Sequence, residues 1–276
     1  MKKTIKVILI LCALFAGKVA LAAQVDTVET YSLAMHKNIR AIIIKPDNYK
    51  QLTTLPTVYL LHGHGSNNSA WLRNAPVIKE LADQYQLLLV CPDGNISSWY
   101  VDSPIDSNWR YETYVGLELV KWVDEHYKTI KNSGGRAITG FSMGGHGSLY
   151  LAFKHQDIFG AAGSTSGGVD IRPFSNSWKI ADVLGTYKDH PNNWENNTVI
   201  NMTGLLIPGK LALIIDCGTE DFFYKVNLNF HNILLENKIP HDFITRPGAH
   251  NWAYWSNSII YQLAFFNEYF RSKNKS

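Results

Sequence analysis

Residues 137–147 read AITGFSMGGHG, an apolar run followed by Ser142 set between Gly140 and Gly144. A serine hydroxyl is a poor nucleophile at neutral pH. It becomes a good one when a base in hydrogen-bond reach takes its proton and a carboxylate orients that base. The pattern G-x-S-x-G supplies a sharp strand-to-helix turn that lifts such a hydroxyl out of a sheet. Alone the pattern is weak, and it needs a strand before it and a helix after it. The run RAITG (136–140) and the stretch GGHGSLYLAFKH provide both.

The partners are expected later in the chain, acid first and histidine last, each following a strand. The last strand-like run, HDFITRP (241–247), leads into GAHNW and so to His250. Gly248 and Ala249 leave room for its ring to approach the serine. The strand before it, LALIID (211–216), opens a loop holding Asp216, Glu220 and Asp221. Asp216 sits at the strand end, where an aspartate commonly caps loop amides. Position slightly favours Asp221 and leaves the three open.

A tetrahedral intermediate needs two backbone N–H groups aimed at its oxyanion. One is expected from Met143, at the positive end of the helix after Ser142. The other is expected from the loop LHGHGS, with His64 first and Gly65 next. His62-x-His64 has no third ligand at a recognisable spacing, so no metal or other cofactor is expected. Trp99, Tyr100 and Trp252 stand near the same strand ends and are expected to line the substrate site.

These residues need a rigid carrier. Two strand-like segments end at NIRAIIIKP (38–46) and read as antiparallel edge strands. After them TVYLLHG (57–63), a helix around 75–85, LLLVCPDG (87–94) and a helix from Glu112 alternate. That last helix carries Val115, Leu119, Val123 and Tyr127 as one buried stripe. FGAAGSTSGG gives a further strand and SIIYQLAFFNEYF a closing helix. Such alternation predicts an α/β fold with a mostly parallel central sheet covered on both faces, its ligand site beyond the carboxyl ends of the strands. Residues 169–208, polar and broken by Pro173 and Pro191, read as an irregular insertion over one edge of the sheet.

The 276 residues, 46% hydrophobic and 18% charged, suit one large folded domain. Residues 1–22 differ: Lys2, Lys3 and Lys6 precede VILILCALFAG, and Ala20-Leu21-Ala22 ends the segment. This is the layout of a cleavable export signal, predicting a secreted or periplasmic protein whose domain spans 23–276. Eleven apolar residues are too few for a spanning helix, which needs about 20. The net charge of +3 belongs to this segment. Removing its four lysines leaves 22 basic residues against 23 acidic ones, which argues against nucleic acid or an anionic membrane as partner. Cys91 and Cys217 each end a different apolar run and read as two buried free thiols.

The segments YLLHGHGSNNSAW, SWYVDSPIDSNWRYETY, GFSMGGHGSLYLA, FGAAGSTSGGVDI, IIDCGTEDFFY and RPGAHNWAYW together resemble the esterase D group of α/β-hydrolases. That group includes tributyrin-type, feruloyl and acetyl-xylan esterases and S-formylglutathione hydrolases, and is related to mycolyltransferases. The resemblance covers roughly residues 30–272. It implies Ser142 as nucleophile, His250 as base and Asp221 as acid, so the carboxylate follows from the resemblance. Ala249 departs from the glycine more usual there. The expected activity is serine carboxylesterase chemistry on short-chain acyl or carbohydrate-linked acetyl or feruloyl esters. Thioester hydrolysis, acyl transfer, and a catalytically silent fold that binds polysaccharide are the alternatives.

Overall fold

The runs anticipated as strands pair into one sheet because their Val, Ile and Leu side chains suit a pleated surface buried on both sides. The structure, a computed structural model, describes residues 23–273. The 1–22 segment read as an export signal lies outside the described residues. The strands are β1 (Gln24–Ser32), β2 (Lys37–Lys45), β3 (Thr57–Leu61), β4 (Leu88–Pro92), β5 (Arg136–Gly140), β6 (Ala161–Thr165), β7 (Ala212–Gly218) and β8 (Asp242–Arg246). Their order across the sheet is β1-β2-β4-β3-β5-β6-β7-β8. The pairs β1–β2 and β2–β4 are antiparallel; β3, β4, β5, β6, β7 and β8 run parallel.

The helices are α1 (Ala70–Asn74), α2 (Val77–Tyr85), α3 (Tyr111–Thr113), α4 (Leu119–His126), α5 (Met143–Lys154), α6 (Ile180–Leu184), α7 (Pro191–Asn196), α8 (Tyr224–Glu236) and α9 (Trp252–Lys273). Alternation along each strand splits the core in two. Val58 and Leu60 of β3 face Trp71, Ile78, Ile259 and Phe266, from α1, α2 and α9. Tyr59 and Leu61 face Val123, Leu149, Phe153 and Phe230, from α4, α5 and α8. Both faces are therefore covered, as the parallel pairing requires.

Three expectations are adjusted. The helix expected from Glu112 contains a π-helical stretch, Tyr114–Glu118, between α3 and α4. Val115, Leu119 and Val123 are buried, but Tyr127 follows the helix in extended conformation. The closing helix begins earlier than the SIIYQ run, at Trp252. The 169–208 insertion does not cover a sheet edge, because it joins β6 to β7 and both are interior strands. It bonds to residues around the strand ends instead: Ser97 Oγ donates to Trp178 O (2.6 Å) and Ser103 Oγ to Val183 O (2.5 Å). Cys91 and Cys217 are buried and free, as expected.

Candidate active site

Ser142 sits between β5 and α5 with φ 58° and ψ −119°, a conformation that L-residues rarely hold and that costs about 1–3 kcal/mol. The flanking glycines are there because backbone meets backbone. A Cβ on Gly144 would lie 2.5 Å from Leu61 O, and one on Gly140 would lie 2.5 Å from the Gly144 carbonyl. Local bonds hold the turn, Ser142 N–H donating to Thr165 O (3.0 Å) and His146 N–H to Ser142 O (3.1 Å).

His250 leaves β8 and reaches over this turn. Its Nε2 lies 2.9 Å from Ser142 Oγ, and its Nδ1 lies 2.8 and 3.0 Å from the two oxygens of Asp221. An ionised carboxylate only accepts, so Nδ1 carries the hydrogen and the Nε2 lone pair faces the serine hydroxyl. Asp221 Oδ1 also accepts Phe223 N–H (2.8 Å), and the Asp221 side chain is fully buried. The other two acids of the loop are elsewhere. Glu220 is exposed. Asp216 is walled in by the hydroxyls of Tyr254 and Ser258 and by Arg246.

The LHGHGS loop closes against the same point. A Cβ on Gly63 would stand 3.2 Å from Ser142 Cβ. Ser66 N–H returns to Gly63 O (3.2 Å), and Gly65 N–H is taken by Ile96 O (2.9 Å). Of His64 and Gly65, only His64 therefore keeps an uncommitted backbone N–H. Met143 N–H heads α5, where the helical acceptor is missing. The His64 ring is held below its ordinary pKa, first by burial and then by the Lys179 charge. His62 is fixed by backbone, Nδ1 against Gly63 O (2.9 Å) and Nε2 accepting Gly94 N–H (2.8 Å).

The expectation that Trp99 and Tyr100 line the site is corrected. They are 1% and 0% exposed and have no surface to offer. Both hold positive φ, 52° and 58°. Tyr100 Oη bonds to the backbone N–H and O of His62 (3.0 and 3.1 Å), while Trp99 packs on the His146 ring. His146, itself fully buried, lies between the carbonyls of Trp99 (3.1 Å) and Asn197 (2.8 Å), and burial lowers its pKa to about 4. Trp252 is half-buried against Phe141, the residue before the serine, at 4.6 Å between centroids.

Phe222, which the sequence reading left without a role, is 49% exposed with its ring 4.2 Å from that of His250. Trp178 of the insertion stacks on it at 5.5 Å. The two rings make an apolar wall beside the imidazole. The sequence signal was the run of three aromatics, Phe222-Phe223-Tyr224, directly after Asp221.

The family model named Esterase matches residues 32–266. An esterase of Mycobacterium tuberculosis is 34% identical over 136 residues, 47% of this chain and 29% of that protein, so the chain spans under a third of its relative's length. An acetyl esterase of Caldicellulosiruptor saccharolyticus is 26% identical over 258 residues, covering 83% of this chain and 92% of its own. A solved structure of a ferulic acid esterase superposes with TM-score 0.78 at 24% identity, over 91% of this chain and 99% of that one. That likeness is one of fold, an α/β-hydrolase-like sheet of eight strands.

Proposed function

The chain belongs to the Esterase family, and from that premise we propose that it is a serine carboxylic-ester hydrolase with Ser142 as nucleophile, His250 as base and Asp221 as the orienting acid. The observation that carries the reading is the unbroken line from Ser142 Oγ through both nitrogens of His250 to Asp221, every step 2.8–3.0 Å. In this reading the Oγ–H proton moves to Nε2 as Oγ bonds to the ester carbonyl carbon. Asp221 stabilises the imidazolium that forms. The N–H groups of Met143 and His64 receive the oxyanion, each such donor being worth about 2.7–4 kcal/mol. Collapse returns the Nε2 proton to the leaving alkoxide and leaves an acyl-enzyme. Water, deprotonated by Nε2, then attacks the acyl carbon; the C–Oγ bond breaks, Nε2 returns the proton to Ser142 Oγ, and the acid leaves. No step calls for a metal or cofactor.

Short acyl groups and carbohydrate-linked acetyl or feruloyl esters are the proposed substrates. The Phe222–Trp178 wall supports an acyl site that accepts small or flat apolar groups, with Trp252 beside it. The leader-like residues 1–22 support export and cleavage near Ala22. The test is labelling with a fluorophosphonate probe, followed by p-nitrophenyl acetate turnover of Ser142→Ala. Labelling at Ser142 and a loss of about 10⁴ to 10⁶ in kcat are expected. Residual activity within about tenfold of the parent, or no labelling, would overturn the assignment.

A further inference from the structure

His250 stands on a short connection, residues 247–251, between the end of β8 at Arg246 and the start of α9 at Trp252. None of those residues is buried. Main-chain bonds give the connection some order, Glu220 N–H donating to Gly248 O (2.9 Å) and Asn251 N–H to Ala249 O (2.8 Å). Ordinary surface turns have as much, and a base needs more. A displacement of about 1 Å at a reacting group costs on the order of 10²-fold in rate. The further restraint comes from the residues four before and four after the base, Arg246 and Tyr254. A Cβ on Gly248 would lie 2.4 Å from the Tyr254 ring, so that ring is the floor on which the connection rests. The Arg246 guanidinium carbon lies 5.1 Å from the centroid of the same ring.

Both side chains end on one carboxylate. Asp216 lies within β7, is fully buried, and takes Tyr254 Oη–H on Oδ1 and Arg246 Nη2–H (2.6 Å) on Oδ2. Its Oδ2 also accepts Ser258 Oγ–H (2.7 Å), from the next turn of α9. A carboxylate only accepts, so the one Ser258 hydrogen is spent there and the Thr165 hydroxyl donates to Ser258 Oγ (2.8 Å). Thr165 is the last residue of β6, and its carbonyl holds Ser142 N–H (3.0 Å). The anion therefore joins both flanks of the base to the strand that fixes the nucleophile's turn. Stability alone is a weak reason to bury this charge, since apolar side chains in place of a buried ion pair are often neutral or stabilising. The β7–β8 ladder, from Ile214–Asp242 to Gly218–Arg246, holds the edge strand without it. What apolar packing would not supply is one fixed point with three directional bonds.

We propose that Asp216 is a positioning residue for the base. Through Arg246 and Tyr254 it sets where the His250 ring stands relative to Ser142, and it touches no reacting atom itself. This rests on Ser142, His250 and Asp221 being the esterase triad, and the test keeps the two apart. Asp216→Asn and Tyr254→Phe are compared with the parent on p-nitrophenyl acetate, well below the Tm of every variant. Sites are counted by end-point fluorophosphonate labelling, so that unfolded molecules drop out. The control is Asp124→Asn, which breaks another buried ion pair, with Arg136 (2.7 Å), at the end of β5 away from Ser142. Expected is a fall in kcat per labelled site of about thirtyfold in Asp216→Asn and about tenfold in Tyr254→Phe. KM should stay within about twofold, because misplacing the base costs the transition state and not ground-state binding. Asp124→Asn should lower Tm and leave kcat per site at the parent's value. An unchanged kcat per site in Asp216→Asn or Tyr254→Phe, an equal loss in Asp124→Asn, or a loss carried by KM would overturn the positioning role and leave the triad standing. Retained turnover in Ser142→Ala would overturn the triad and the proposal with it. If Asp216→Asn does not fold, Tyr254→Phe, which keeps every charge, carries the same comparison.

Discussion

Asp221→Asn exchanges one atom and should nearly silence the enzyme. Asp221 Oδ1 is bonded by Phe223 N–H at 2.8 Å, and the carboxylate faces His250 Nδ1–H at 2.8 and 3.0 Å. An asparagine there has one oxygen for two donors. If the oxygen stays with the fixed Phe223 N–H, the amide NH₂ faces Nδ1 and forces it to accept. The ring then carries its hydrogen on Nε2, pointing at Ser142 Oγ, and the base has no lone pair for the proton. If the amide flips, NH₂ meets Phe223 N–H head on at a buried position, which costs about 1–3 kcal/mol. The first arrangement wins, and the wrong tautomer is held. The corresponding change in a serine protease lowers kcat about 10⁴-fold, or about 5.5 kcal/mol of barrier. The assay is kcat on p-nitrophenyl acetate across pH, with exposed Glu220→Gln as the control. A loss under about tenfold in Asp221→Asn, or a larger loss in Glu220→Gln, would refute the reasoning.

Trp99→Ala should lower thermal stability by about 3–5 kcal/mol, as for emptying any buried indole site, with equal fractional losses on carbohydrate and p-nitrophenyl esters. A selective loss on the carbohydrate ester would return Trp99 to the substrate site. Asp216→Asn leaves Arg246 without its carboxylate and should cost about 3–5 kcal/mol of stability, read as a lower Tm, while kcat falls far less than in Asp221→Asn. Glu112 gives a pH signature. Burial would raise its carboxyl, but hydrogen bonds from His155, Lys154 and Tyr150 outweigh that and bring it from 4.5 down to about 2. Its contribution is thus fully present above pH 4.5 and lost as pH falls towards 2. Glu112→Gln should lower Tm at neutral pH and flatten the decline of Tm between pH 4.5 and 2; an unchanged slope would contradict this.

That Ser142, His250 and an acid of the 216–221 loop come together could be read from the sequence because the chemistry proposed for them forces local pattern. An elbow serine needs glycines where backbones touch, and Gly140 and Gly144 do touch backbone. A histidine after the last strand and an acid after the one before follow from the sheet order. The carboxylate itself was not legible from position. Asp216 and Asp221 differ in whether Arg246, Tyr254 and Ser258 surround them, contacts 30 to 42 residues away in sequence. Trp99 and Tyr100 were misjudged because their burial depends on distant contacts. They look like platforms by type, but they are buried against His146 and His62, 47 and 38 residues away in sequence, and nothing in a Trp-Tyr pair announces those contacts. Phe222, one residue from buried Phe223, shows the converse: adjacent residues of one type part ways between core and cleft.

The sheet order carries a consequence for how this molecule ages under heat. Ser142 is fixed at the centre of the sheet, after β5, whereas His250 hangs from β8, a half-exposed edge strand paired on one side only. Besides its ladder to β7, a side-chain clasp to the interior is the Arg246–Asp216 pair at 2.6 Å. Edge elements open at lower free energy than central ones. Warming should therefore free His250 while the Ser142 turn still stands, and the proposed ester cleavage should fall away before helical ellipticity does. On brief exposure the lost activity should return on cooling, since only the rim would have come undone. Loss of catalysis and loss of fold should then be two transitions, and the width of the gap between them would measure how firmly one strand is buttoned to its neighbour.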